Sequence, residues 1–137
     1  LRPTVLQALG HDPLPKYPIP PEGPQGDPQL VKQYPCTLTD GRSSLFYNHA
    51  EWRQVESVCI HRPEPIVCLH LQSARSEGTA EGDWIWIETK RGRIRQKVQL
   101  FDRLDRSIVD AEHGWWYPEM PGPEPSLYKI FESTINM

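Results

Sequence analysis

Four consecutive residues, Thr39, Asp40, Gly41 and Arg42, combine a hydroxyl, a carboxylate, a glycine and a guanidinium. Glycine lets backbone N–H groups come close to a bound group. Arginine offers a planar fork of donors suited to phosphate or to the edge of a heterocycle. The preceding residues Tyr34-Pro35-Cys36-Thr37-Leu38 read as a short strand, so residues 39–42 are expected to form a polar turn at its end. Loops on a rigid scaffold commonly carry function. An ordinary surface hairpin turn uses the same residue types, and both readings stand on these four residues alone. A second cluster lies far along the chain. His113-Gly114-Trp115-Trp116-Tyr117 follows a strand-like run, and three large rings in sequence cannot all face one core. One of them is expected against a ligand or another domain, or under the proline-rich tail. His49 lies near Phe46, Tyr47 and Arg42 and is a binding candidate or a packed histidine.

These side chains need elements to position them. The chain has 137 residues and a net charge of −3, the length of one domain with no global field for nucleic acid. Fifteen prolines fall unevenly: nine in the first 35 residues, four between Pro118 and Pro125, and only Pro63 and Pro65 between. A compact middle with proline-rich arms follows, with a lead-in arm over residues 1–33 and a domain over 34–137. Thr4 to Gly10 has the spacing of a short helix closed by glycine. Residues 50–58 are a short helix or irregular segment. Ile66-Val67-Cys68-Leu69-His70 is a buried strand, and residues 73–78 are helical turns ended by glycine.

Trp84-Ile85-Trp86-Ile87-Glu88-Thr89 alternates, with Ile85 and Ile87 on one face and Trp84, Trp86 and Glu88 on the other. A glycine turn at residues 90–93 returns a strand with Ile94, Val98 and Leu100 inward and Arg93, Arg95, Lys97 and Gln99 outward. The basic face is a solvated outer surface or a nucleic-acid strip; without interleaved aromatics the solvated face is preferred. Ser107 to Glu112 is a further strand. Many short strands and few helices predict a mainly β barrel or sandwich.

Three cysteines without a CxxC pair support neither a zinc ribbon nor a redox motif, and ordinary thiols are expected, although two could pair. No apolar run approaches the roughly 20 residues of a membrane span, so no direct membrane insertion is expected. The chain starts at Leu1 and stops at Met137 after an apolar-rich stretch, so a piece of a longer protein is expected, truncated at its C-terminal end.

In order, Leu38-Thr39-Asp40-Gly41-Arg42, His49, Glu81-Gly82-Asp83-Trp84-Ile85-Trp86-Ile87-Glu88-Thr89, Arg91-Gly92-Arg93-Ile94 and His113-Gly114-Trp115-Trp116 resemble one family. It is the C-terminal molybdopterin-dinucleotide-binding domain of the dimethyl sulfoxide reductase family of molybdenum and tungsten oxidoreductases. Leu9-Gly10-His11-Asp12-Pro13-Leu14-Pro15-Lys16-Tyr17 is similar to the segment leading into that domain. The resemblance implies a double-psi β-barrel of about six strands with short helices. It implies a molybdopterin guanine dinucleotide contacted by Thr39, Asp40, Gly41, Arg42, Ser43 and Tyr47, with His49 near a pterin. His113, Gly114 and Trp115 would stand beside the other end of the cofactor, and Asn136 resembles a late pterin-contacting asparagine.

Asp40 departs from the small or hydroxyl residue of many relatives. It would accept from a guanine or pterin amine and would repel phosphate. The metal ligand and an iron–sulfur cluster are expected only upstream, so the piece alone would bind and orient cofactor without catalysis. Expected partners are upstream domains of the same polypeptide and an electron-transfer subunit, with no nucleic acid. The expected compartment is the prokaryotic cytoplasm or periplasm, the cytoplasm preferred. A nucleic-acid or protein interaction barrel and a hydratase of the same cofactor family are the alternatives.

Overall fold

A computed structural model describes residues 4–12, 16–41 and 51–115. The chain divides into two compact units, residues 1–35 and 36–137.

In the first unit, α1 (Thr4–Ala8) ends where Gly10 takes a positive φ of 78°. Two turns around Gly23 carry the proline-rich path, with the Gly23 N–H donating to the Pro20 carbonyl and the Gly26 N–H to that of Gly23. A second helix, α2 (Pro28–Gln33), was not anticipated. Its cause is local. Asp27 caps it, accepting from the N–H groups of Gln29 and Leu30 at 3.1 and 3.0 Å, and Pro28 sits in the first turn, where its missing N–H costs nothing.

The second unit is built on one mixed sheet. Its described strands are β1 (Thr37–Gly41), β2 (Ile66–Leu69), β3 (Trp84–Thr89), β4 (Gly92–Leu100) and β5 (Ile108–Glu112), in the order β1-β5-β2-β4-β3. β1 runs parallel to β5 and β2 parallel to β4, while β2–β5 and β3–β4 are antiparallel. This curled half-barrel is mainly β with few short helices, as expected. Five of the expected six or so strands lie in the described residues.

The core lies on one face. Val67, Leu69, Ala74, Ile87, Ile94, Val98 and Ala111 form it, with Ile85, Leu100 and Val109 against it. Ala74 comes from α4 (Leu71–Ser76), which Gly78 follows with a φ of 69°. A shorter helix, α3 (Glu56–Cys59), occupies the segment before β2. The β3–β4 hairpin folds as its alternation predicts, with Ile87, Ile94 and Val98 buried and Trp84, Trp86, Arg93 and Arg95 outward.

Two expectations are corrected. Thr39, Asp40 and Gly41 are not a turn: they are strand residues of β1, in parallel register with Asp110, Ala111 and Glu112. A parallel partner 71 positions along the chain gives no local signal, so polar residue types suggested a turn instead. The basic outer face also has interleaved aromatics. They come from β3 across the hairpin rather than from β4 itself, with Arg93 over Trp86 at 4.5 Å and Arg95 over Trp84 at 5.0 Å.

Truncating Ile94, which fills the centre of this core, to alanine should lower the unfolding free energy by about 2–5 kcal/mol. The denaturant midpoint at unchanged m-value measures it.

Candidate functional site

Parallel pairing of β1 with β5 brings the two distant sequence clusters together. Thr39 stands beside Asp110, Asp40 beside Ala111 and Gly41 beside Glu112, so both strands end at the same level. Immediately beyond, the Asp40 carboxylate meets Nδ1 of His113. His113 is buried while Asp40 remains more than half exposed, so the pair forms a mouth with a fixed histidine and an accessible carboxylate.

Side-chain alternation divides the cluster between the two faces of the sheet. Asp40 and His113 share one face. Thr39 and Gly41 share the other with Asp110 and Glu112. There the Thr39 hydroxyl donates to Asp110 Oδ1 at 2.6 Å. Gly41 leaves room for the same carboxylate, since a Cβ at that position would lie 2.6 Å from Asp110 Oδ2. Gly41 therefore serves a close approach, and the group approaching it is Asp110. Arg42, Ser43, Tyr47, His49 and Asn136 lie outside the described residues.

Of the four consecutive residues Glu112 to Trp115, three are held by different partners and Gly114 turns the chain between them. The Glu112 side chain is buried. It accepts from Arg62 Nη2 at 2.6 Å and Nε at 3.1 Å, and its other oxygen accepts from the Ile66 N–H at 3.0 Å. Gln96, with no exposed surface, bonds to the backbone of the same residue. Its Nε2 donates to the Glu112 carbonyl at 2.7 Å and its Oε1 accepts the Glu112 N–H at 3.2 Å. The β2–β5 pairing ends at Val67 and Ala111, and on that side the Gln96 amide takes both backbone groups of the next residue, Glu112. His113 is held by Asp40, as above. Gly114 turns the chain with a φ of 69°, a conformation that favours glycine. Trp115 is 2% exposed, its ring covered by the Arg53 guanidinium at 4.1 Å. Arg53 in turn donates to Cys59 Sγ and the Arg62 carbonyl.

Sequence reasoning missed Arg53, Arg62, Gln96, Asp110 and Glu112. One signal was available for Gln96, a polar residue at a core-facing position between Ile94 and Val98. Arg53 and Arg62 carry no periodic signal, because their partners lie on distant segments.

The described residues of the junction are rich in carboxylates, and its guanidinium groups are engaged by Glu112 and Trp115. Such a site fits amino-bearing heterocycle edges better than phosphate. Among the described residues no group of three His, Cys, Asp or Glu is placed to hold a metal ion. No described helix is long and apolar enough to cross a membrane. The three cysteines carry free thiols. Burial pushes the Cys68 thiol up, and the facing Asp110 carboxylate adds to the effect.

A mixed sheet whose polar strand ends converge on an accessible carboxylate defines this β domain. Residues 36–134 match the family described as the molydopterin dinucleotide binding domain. Dopamine dehydroxylase of Eggerthella lenta is 40% identical over 107 residues, 78% of this chain and 10% of that protein. Acetylene hydratase of Syntrophotalea acetylenica is 33% identical over 119 residues, 87% of this chain and 16% of that protein. The solved structure of acetylene hydratase from Pelobacter acetylenicus superposes with a TM-score of 0.83 at 30% identity, covering 98% of this chain and 19% of that one. The chain belongs to the molybdopterin-dinucleotide-binding domain family found in molybdenum and tungsten oxidoreductases of the dimethyl sulfoxide reductase type. It spans a tenth to a fifth of the length of these relatives, in which the matched segment is one part of a much longer polypeptide.

Glu112→Gln should destabilise the domain by about 2–3 kcal/mol, because an amide presents N–H toward a donor and leaves Arg62 without its counter-charge. That is below the cost for a fully buried pair, since Arg62 keeps some exposure to water. Chemical denaturation reads the loss. The raised Cys68 value means that the fold holds the thiol proton more tightly than the unfolded chain does. Its stabilising contribution is complete below the ordinary thiol range and fades as pH rises through the folded value. At mildly alkaline pH, iodoacetamide should label exposed Cys36 well before Cys68, as peptide mass spectrometry would show.

Proposed function

We propose that this domain binds and orients a molybdopterin guanine dinucleotide as one domain of a larger molybdenum or tungsten oxidoreductase. The meeting of Asp40 with His113 at the paired ends of β1 and β5 carries the reading. Guanine and pterin both present an amino group beside a ring N–H, a double-donor edge that a carboxylate accepts in parallel. Exposed Asp40 is such an acceptor, with His113 fixing its direction. Adenine lacks that edge, so the mouth selects guanine.

The pyrophosphate is assigned to the residues that follow Gly41. Asp40 and Asp110 repel it, whereas Arg42 can pair with it bidentately and Ser43 can donate to it. The remaining assignments follow the family resemblance, with Tyr47 and His49 toward a dinucleotide and pterin and Asn136 toward a pterin. Gly114 shapes the turn that closes the mouth. Trp115, stacked on Arg53, acts as a rigid wall rather than a mobile ring. The cofactor supplies the redox or Lewis-acid chemistry of its metal, and this chain supplies position and surroundings.

The domain alone performs no catalysis. A metal ligand and an iron–sulfur cluster belong to other parts of the polypeptide, and an electron-transfer subunit completes the enzyme. Relatives named a dehydroxylase and a hydratase both share this domain, so a hydratase is the second reading, favoured by the TM-score of 0.83 to acetylene hydratase.

Asp40→Asn, His113→Ala and Arg42→Ala in the full-length protein should each weaken cofactor retention by about tenfold or more, the scale of a lost charge-assisted hydrogen bond. Metal content and the guanosine monophosphate released by acid hydrolysis are the readouts. Full loading of all three variants, or release of adenosine monophosphate instead, would overturn the assignment.

A further inference from the structure

The outer face of the β3–β4 hairpin carries an arrangement that lies outside the proposed cofactor site. Trp84 and Trp86 are 39% and 53% exposed, on the strand that ends the described sheet. Register sets Trp86 opposite Arg95 and Glu88 opposite Arg93. The stacking partners are the diagonal ones instead, Arg93 on Trp86 and Arg95 on Trp84. Two rings and two guanidinium groups thus form a four-membered ladder. Neither Arg93 nor Arg95 forms an ion pair among the described residues. By contrast, neighbouring Lys97 is paired with Glu64 and Arg62 with Glu112.

We propose that this ladder is the surface on which the domain docks against an acidic patch elsewhere in the same polypeptide. The inference rests on the reading of the domain as part of a larger chain. Stacking uses the flat face of a guanidinium and leaves its in-plane N–H fork for an acceptor, and a carboxylate is the matching group. Tryptophan and arginine are the residue types that anchor interfaces most often. Half-exposed rings already held in place by arginine lose little conformational freedom on being covered. The relatives carry 81–90% of their length outside the matched segment, which supplies the occupant. A nucleic-acid strand fits less well. Glu88 stands in the middle of the face, and the chain's net charge of −3 gives no attraction at longer range.

Hydroxyl-radical footprinting of the purified full-length protein tests this without any substitution. Trp84 and Trp86 should oxidise at about a tenth or less of their rate in a synthetic peptide of the same sequence, as rings at an interface core do. Arg93→Glu combined with Arg95→Glu, both exposed positions, should raise both rates several-fold while metal content stays unchanged. Oxidation at about half the peptide rate in the unaltered protein, matching the exposures above, would overturn the proposal. So would protection that vanishes on nuclease treatment, or that appears only after a separate subunit is added. Metal and nucleotide content report on cofactor binding independently, so a failure here and a failure of the cofactor site are told apart.

Discussion

Glu112 is a carboxylate carried into the interior, and a buried charge persists only where it is paired and its remaining acceptor capacity is used. Both of its oxygens are occupied, one by the Arg62 fork and one by the Ile66 N–H, and Gln96 takes both backbone groups of the same residue. The knot ties β5 to the segment before β2 and to β4. Its position decides the rest. It lies opposite Gly41 in the β1 register and one residue before His113, so whatever fixes Glu112 also fixes the level at which β1 and β5 end. The mouth formed by Asp40 and His113 inherits its geometry from that constraint. Apolar packing around Val67, Ile94 and Val98 supplies stability on the core face. It does not by itself specify where the strand ends meet, because hydrophobic contact is not directional.

How much of this was legible depends on the range of the interactions. The β3–β4 hairpin was read correctly with its faces, because alternation of Ile85 and Ile87 with Trp84 and Trp86 is a local pattern with period two. The strand at Ile66 and the glycine-ended α4 were likewise local signals. The polar cluster at Thr39 was placed correctly on a strand end and wrongly as a turn. Its strand character comes from Asp110, Ala111 and Glu112, some seventy residues away in sequence. Glu112, Arg62 and Arg53 were not singled out, since a charged residue reads as surface until its partner is known. The diagonal Arg–Trp stacking required the register of two strands together. The short helix at Pro28 could have been read from the Asp27–Pro28 capping pair, which the surrounding prolines obscured.

The same geometry refines the functional picture. Residues that look like one motif in sequence, Thr39-Asp40-Gly41, project to two faces of the sheet. Asp40 faces the mouth, while Thr39 and Gly41 accommodate Asp110 behind it. An acidic strand end suits a purine-like or pterin edge, which is why the proposed site leaves phosphate to residues other than Asp40 and Asp110. Trp115 and Arg53 are packed on each other, and in the proposed site such a wall would lose little freedom when a flat ring arrives. The proposed role as a positioning domain accords with the presence of this domain in relatives named for different reactions.

Backbone hydrogen exchange of the full-length protein, prepared with and without cofactor, tests the central claim most directly. The account predicts that amides of residues 40–41 and 113–115 gain protection on loading, while those of β3 and β4 stay unchanged. Identical exchange at residues 40–41 and 113–115 in the two preparations would contradict it, because the paired ends of β1 and β5 would then not face the cofactor.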